Sequence, residues 1–174
     1  MDIDEKELPR RKTPRWQSFD YDSAGVYFVT ICTQNRRCIL SRIVGTGVPD
    51  CPQIELTKYG EIADKYIKQL NDFYDHITIE SYLIMPNHIH FLMYIKEHGP
   101  SRTPVPTGLR RANSKFSQFV STFKRFCNKE CGENIWQARA NDHIIRNRED
   151  YGRHLQYIYE NPIRWHLDEL YAED

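Results

Sequence analysis

The eight residues His88-Ile89-His90-Phe91-Leu92-Met93-Tyr94-Ile95 constrain the fold more than any other stretch of this chain. Successive side chains of a β-strand point to opposite faces, so Ile89, Phe91, Met93 and Ile95 share one side and His88, His90, Leu92 and Tyr94 share the other. The first side is wholly apolar and needs a core to cover it. A strand of this kind belongs in a sheet with one face closed by other elements. The second side, less needed for packing, projects two imidazoles two residues apart, and such a pair is half of a metal site.

Neighbouring segments supply an alternating plan. Val26 to Thr33 is rich in β-branched and aromatic residues and predicts a first strand. A β-excursion follows from Ile39 to Leu56, with turn residues Gly45-Thr46-Gly47-Val48-Pro49-Asp50 at its tip. No Gly-Lys-Ser/Thr follows those glycines, so they are not a phosphate loop. Leu56, Tyr59, Ala63, Tyr66, Ile67 and Leu70 recur at helical spacing and predict a helix over 57–72. His76 to Met85 alternates as a strand, and Pro86-Asn87 turns it into the His88 strand as an antiparallel neighbour. Residues 97–113, with three prolines and two glycines, read as a mobile loop. Phe116, Phe119, Val120, Phe123 and Cys127 mark a second helix, capped by Asn113 or Ser114. Short strand-like pieces at Ile135-Trp136-Gln137 and His143-Ile144-Ile145-Arg146 precede a third helix from about Glu149 to Asn161, stopped by Pro162. The order β, α, β, β, α, β, α predicts an α+β fold, a ferredoxin-like sandwich with a mostly antiparallel sheet and helices packed on it.

At 174 residues the chain is expected to be a single domain over 1–174, large enough to fold around a core without disulfides. Its five cysteines are odd in number and contain no Cys-x-x-Cys pair, which argues against a disulfide framework and a zinc ribbon. No apolar run approaches the ~20 residues that span a bilayer, and the acidic start lacks signal-peptide features, so the expected compartment is the cytoplasm. Formal net charge is zero, yet the charges are segregated. His98 to Lys129 holds seven Lys/Arg residues and no Asp or Glu, and an arm over about 8–20 carries Arg10, Arg11, Lys12 and Arg15. Such segregation creates a local positive field suited to a polyanion. The candidate DNA contacts are therefore Arg10, Arg11, Lys12, Arg110, Arg111, Lys115, Lys124 and Arg125, a solvated basic face being the alternative for any one cluster.

The third helix brings the groups that the His88 strand lacks. At about 100° per residue, Tyr151, Leu155, Ile158, Tyr159 and Pro162 form an apolar face, with His154, Tyr157 and Asn161 on a separate stripe. This phase buries the rival Tyr159 and leaves Tyr157 off the packed side. Tyr157 and Asn161, four residues apart, are neighbours able to act at one point. If the helix crosses the histidine face, a phenol, a carboxamide and two imidazoles meet. Neutral imidazoles and an amide oxygen can hold a divalent cation with positions left open for substrate oxygens. Mg²⁺ or Mn²⁺ held there acts as a Lewis acid on a scissile phosphate. A phenol placed in line becomes a phosphotyrosine and releases a 3′-OH. One phosphodiester replaces another, so no ATP is needed and reversal rejoins the strand. His154, on the Tyr157 side, orients phosphate, activates the phenol or is simply solvated.

Met85-Pro86-Asn87-His88-Ile89-His90, followed by Trp136-Gln137, His143-Ile144-Ile145-Arg146 and Tyr157-Ile158-Tyr159-Glu160-Asn161-Pro162, resembles the motifs of the single-tyrosine HUH transposases, and most of all their REP-associated tyrosine transposase branch. Arg10-Arg11-Lys12, Phe19-Asp20-Tyr21 and Tyr27 to Cys32 are similar as well, so the resemblance covers nearly the whole chain. A lone His-x-His is common; joined to Tyr-x-x-x-Asn-Pro in a chain of this size it is specific. The resemblance implies His88 and His90 as metal ligands, Tyr157 as the catalytic nucleophile on a C-terminal helix, and Asn161 as a third ligand where other members carry Gln or His. It also implies Mg²⁺ or Mn²⁺ as cofactor and an enzyme that nicks and rejoins single-stranded DNA beside imperfect palindromic hairpins through a 5′-phosphotyrosine, as a monomer or homodimer and without a membrane. The alternative is a domesticated hairpin-binding protein that no longer cleaves. The intact set of His88, His90, Tyr157 and Asn161 favours the enzyme, because a pure binder has no need of all four.

Overall fold

The computed structural model describes residues 24–45, 52–96 and 114–172. In chain order the elements are β1 (Gly25–Cys32), β2 (Ser41–Val44), β3 (Gln53–Leu56), α1 (Lys58–Phe73), β4 (Ile77–Ile84), β5 (His88–Ile95), α2 (Lys115–Cys131), β6 (Asn141–Ile145) and α3 (Arg148–Glu160). Four of the strands form one sheet in the order β4-β5-β1-β6, every neighbouring pair antiparallel. This is the ferredoxin-like arrangement expected from the element order. The β-excursion becomes a separate hairpin of β2 and β3.

β5 lies inside the sheet between β4 and β1, and the Pro86-Asn87 turn is closed by Met85 N–H donating to the His88 carbonyl at 2.9 Å. Its apolar side joins Tyr27, Val29 and Ile31 of β1 in a core capped by Ile62, Ile67 and Leu70 of α1 and Phe116, Phe119 and Phe123 of α2. Each such aromatic or aliphatic side chain, fully buried, contributes roughly 1.5–3 kcal/mol. Ser114 caps α2 by accepting from Ser117 N–H, and Gly132, with φ +77°, ends it in the left-handed conformation that glycine adopts without strain. Gly60 has no room for a side chain, because a Cβ would stand 2.0 Å from the Leu40 carbonyl oxygen.

α3 packs on the opposite side of the sheet. Ile158 meets Phe28 and Leu92 there, with Val26, Leu83, Ile145, Tyr151 and Leu155 partly buried around them. The contact is a narrow stripe at 151, 155 and 158, and this corrects the expected apolar face. Tyr159 is 69 % exposed, because one residue beyond Ile158 the helix has already turned about 100° away from the sheet. A second correction concerns Trp136, which makes a single bridge to Thr33 rather than a strand. The third is that the histidine face is not spare surface. His88 and His90 are 0 % and 2 % exposed, covered by α3 and by the segment that continues past Pro162 through a short 3-10 turn at Trp165–Leu167. The basic arm with Arg10, Arg11 and Lys12, and loop 97–113 with Arg110 and Arg111, lie outside the described residues. Among the described residues no helix is long and apolar enough to cross a membrane.

Candidate active site

The sheet register sets the two imidazoles. His90 stands opposite Thr30 and His88 opposite Cys32 in the β1–β5 pairing. His90 Nδ1 is 2.9 Å from the Thr30 hydroxyl, and His88 Nδ1 is 2.8 Å from Asn87 Oδ1. The Asn87 amide is oriented by its own nitrogen, which donates to the carbonyls of Leu170 at 2.7 Å and Arg36 at 3.4 Å. Its oxygen can only accept, so His88 carries its proton on Nδ1 and leaves Nε2 as a bare lone pair. Both His88 Nε2 and His90 Nε2 are buried and have no hydrogen-bond partner among the described residues. Burial holds both rings neutral. His88 is pushed down to about 4, with the Asp168 carboxylate opposing the shift and Arg36 adding to it. His90 is also driven well below the usual histidine range by burial, with His88 and His154 adding to it.

α3 delivers the other two expected residues to the same place. The Tyr157 ring lies edge-on to His90 at 5.2 Å between centroids and to Phe28 at 5.9 Å. Asn161, one turn on and 3 % exposed, caps the helix through N–H to the Tyr157 carbonyl at 3.0 Å. Its side-chain nitrogen donates to Asp168 at 2.6 Å, which turns its Oδ1 inward, and that oxygen too has no partner. Three buried atoms, Nε2 of His88 and of His90 and Oδ1 of Asn161, are thus left without a hydrogen-bond partner among the described residues. Leaving such atoms unpaired costs roughly 1–3 kcal/mol each. Two imidazole nitrogens and an amide oxygen are a donor set that could hold a first-row divalent ion or Mg²⁺. The rival Tyr159 points to solvent, away from these atoms.

Asp168 is one of two carboxylates, with Asp150, that sequence reasoning missed. Its Oδ2 accepts from the Tyr157 hydroxyl at 2.8 Å as well as from Asn161, and its Oδ1 from Leu170 N–H at 2.7 Å. A ligand atom of Asp168 also falls within 4.8 Å of those of His88 and His90. Burial, and then the hydrogen bond to this carboxylate, raise the Tyr157 phenol above its ordinary range. The segment around Asp168 is strapped down by Arg36, whose guanidinium donates to the Glu169 carbonyl at 3.2 Å, and by Trp165, whose ring is 5.8 Å from that of His88.

Beside Tyr157 opens a cavity of about 590 Å³, bounded by Phe28, Thr30 and His90 on the sheet and by Arg153, His154 and Tyr157 on α3, among others. His154 joins a second cluster with His143 and Asp150 on its wall. The expected DNA contacts of α2 are elsewhere: Lys115, Lys124 and Arg125 belong to the helix on the far face. Lys124 Nζ donates to the carbonyls of Gln137 at 2.8 Å and Ala138 at 3.4 Å, and the Arg125 guanidinium stands 5.1 Å from the Phe126 ring.

No family model matches the chain. A Haemophilus influenzae protein that carries the provisional name REP-associated tyrosine transposase is 31 % identical over 155 residues, covering 83 % of this chain and 74 % of its own length. The Escherichia coli REP-associated tyrosine transposase is 28 % identical over 145 residues, covering 83 % of this chain and 70 % of its own. A solved structure of a REP-associated tyrosine transposase bound to a REP hairpin superposes with a TM-score of 0.59 at 26 % identity, covering 82 % of this chain and 68 % of that one.

Proposed function

This chain belongs to the REP-associated tyrosine transposase family, and on that footing we propose that it nicks and rejoins single-stranded DNA beside hairpins, with Tyr157 as the nucleophile. The observation that carries this reading is the meeting of one phenol with three buried atoms that have no hydrogen-bond partner among the described residues, His88 Nε2, His90 Nε2 and Asn161 Oδ1. A binding module has no use for such a set. The solved relative in complex with a REP hairpin supports a hairpin as the DNA form recognised here.

His88, His90 and Asn161 would hold a divalent cation, Mg²⁺ or Mn²⁺, with Asp168 near enough to join them. When bound, such an ion supplies Lewis-acid polarisation of a phosphodiester and offsets charge in the transition state. The protein's own residues do the rest. Phe28 and His90 fix the Tyr157 ring against the sheet, so the phenol meets the phosphorus from one direction only. Its oxygen bonds to phosphorus, the bond to the 3′-oxygen breaks, and the product is a 5′-phosphotyrosine with a free 3′-OH. The Asp168 contacts must open for this, since the phenol hydrogen is held there.

Incubating the protein with Mg²⁺ or Mn²⁺ and a panel of labelled single-stranded hairpin oligonucleotides tests the reading. A covalent adduct that survives denaturation and is absent with Tyr157→Phe is expected. An adduct that persists in Tyr157→Phe overturns the nucleophile. Tight binding across the panel with no adduct makes the protein a binder. His88→Ala is expected to abolish the adduct with little loss of hairpin affinity, because phosphate and base contacts elsewhere carry most of the binding.

A further inference from the structure

His143 of β6 and Asp150 and His154 of α3 form a cluster that the reaction above leaves unused. The rings of His143 and His154 stack at 4.5 Å. Like His88 and His90, each has one nitrogen engaged by the protein, but here the partner is the Asp150 carboxylate or its carbonyl. His143 Nε2 is 2.9 Å from Asp150 Oδ2, while His154 Nδ1 is 2.8 Å from the Asp150 carbonyl oxygen and 3.3 Å from its carboxylate. Asp150 is itself immobilised: it is 5 % exposed, accepts from Arg146 N–H at 3.1 Å, and its own N–H is capped by Asn147 at 2.9 Å. Nδ1 of His154, facing two acceptors, carries a proton. Nε2 is then the nitrogen left for the cavity, and it has no protein partner among the described residues.

The position of that nitrogen relative to Tyr157 is set by the helix. His154 and Tyr157 are three residues apart, a rise of about 4.5 Å along α3, and both rings lie against Phe28, at 4.7 and 5.9 Å. In an in-line displacement the attacking and leaving oxygens stand on opposite sides of phosphorus, about 5 Å apart once the breaking bond is added to the attack distance. A phosphodiester lying along α3 with its phosphorus at Tyr157 and its leaving side toward the N-terminus of the helix would have its leaving oxygen level with His154.

We propose that His154 is the acid that protonates the departing 3′-oxygen and the base that takes that proton back on rejoining, with Asp150 and His143 as positioning residues. The proposal rests on Tyr157 being the nucleophile. In cutting, Tyr157 gives its proton to solvent and bonds to phosphorus. The electron pair of the broken P–O bond stays on the 3′-oxygen, which takes the proton from Nε2 of the doubly protonated ring. The ring is left neutral, still donating from Nδ1 to Asp150. In rejoining, Nε2 accepts the 3′-OH proton as that oxygen bonds to phosphorus, and Tyr157 leaves with the electron pair of the broken P–O bond and takes a proton back from solvent.

The test is single-turnover cutting in Mg²⁺ of two matched hairpin oligonucleotides, chosen because the wild-type protein forms the adduct with them. One has oxygen at the leaving 3′ position and the other sulfur, which departs as a thiolate without a proton. His154→Ala and His154→Gln are expected to slow the oxygen substrate about 100-fold or more while cutting the sulfur substrate within about threefold of wild type. Asp150→Asn and His143→Gln should show the same split in weaker form. An equal loss on both substrates, or an unchanged rate on oxygen, overturns the proposal. The sulfur rate reports on folding within the same experiment. Absence of any wild-type adduct, or its persistence in Tyr157→Phe, fails the nucleophile reading itself and the proposal with it.

Discussion

On one face of the sheet, Val29 and Ile31 of β1 and Ile89, Phe91 and Met93 of β5 are buried beneath α1 and α2; on the other, Phe28, Thr30, His88, His90 and Leu92 lie beneath α3 and the C-terminal segment. The two sets alternate along the same two strands, so each pleat separates a residue that holds the fold from one that serves the site. The face beneath α1 and α2 is apolar but for the Trp136 indole nitrogen, which is buried in that core without a partner among the described residues. The other face buries three such atoms and has only Phe28, Leu92 and Ile158 as its apolar centre. Stability is thus concentrated on one side and surrendered on the other, one residue away. Adjacent substitutions on β5 should therefore act in opposite senses. Phe91→Ala is expected to lower the unfolding free energy in urea by about 3–5 kcal/mol. His90→Leu, which removes an orphaned imidazole nitrogen, should leave the metal-free protein as stable as before or more stable by about 1 kcal/mol, while abolishing adduct formation. A loss in His90→Leu as large as that in Phe91→Ala would mean that the site face carries the fold as well.

Acid offers a second way to separate the faces. His88 is held down to about 4 in the folded protein against an ordinary 6.5. Between those values the unfolded chain binds a proton that the folded one refuses, so the stability contribution is complete above 6.5 and is lost as the pH falls. A shift of this size corresponds to about 3 kcal/mol for His88, with His90 acting in the same direction. Urea unfolding of chelator-treated protein at pH 7 and pH 4.5 should show the decline, and His88→Leu should flatten it. If that variant declines as steeply as wild type, the titrating groups lie elsewhere.

The helical face was almost wholly legible in the sequence, because alternation in β5 and helical spacing in α2 are periodic signals that survive folding unchanged. The Ser114 cap and the Tyr157–Asn161 pair belong to the same class, being contacts within one helical turn. The helical phase misled at Tyr159, since it weighed a tyrosine as apolar without knowing how narrow the stripe on the sheet would be. Asp168 and Asp150 were hidden for a different reason. The segment after Pro162 has no period, and it is held by single bonds from Asn87, 83 residues away, and Arg36, 133 residues away. The His143–Asp150 pair spans only seven residues but joins a strand to a helix start, a geometry fixed by the turn between them rather than by any repeat.

Asp168 allows the smallest and most local of these tests. The Tyr157 phenol is raised first by burial and then by the Asp168 carboxylate, which stabilises the protonated form by accepting its hydrogen and opposes the phenolate by its charge. Asp168→Asn removes the charge and keeps the shape, so only the second contribution is lost. The phenol should then titrate at a lower pH than in wild type yet remain above an ordinary tyrosine, because the burial against Phe28 and His90 persists. Ultraviolet phenolate titration, with Tyr157→Phe subtracted to isolate the one ring, reads this directly. An unmoved phenol would show that the carboxylate is not what restrains it and that the C-terminal segment acts on the site through Asn161 alone. A fall to the ordinary tyrosine value would show the reverse, that the site face is wet around Tyr157 and that the contrast between the two sides of the sheet ends at the histidines.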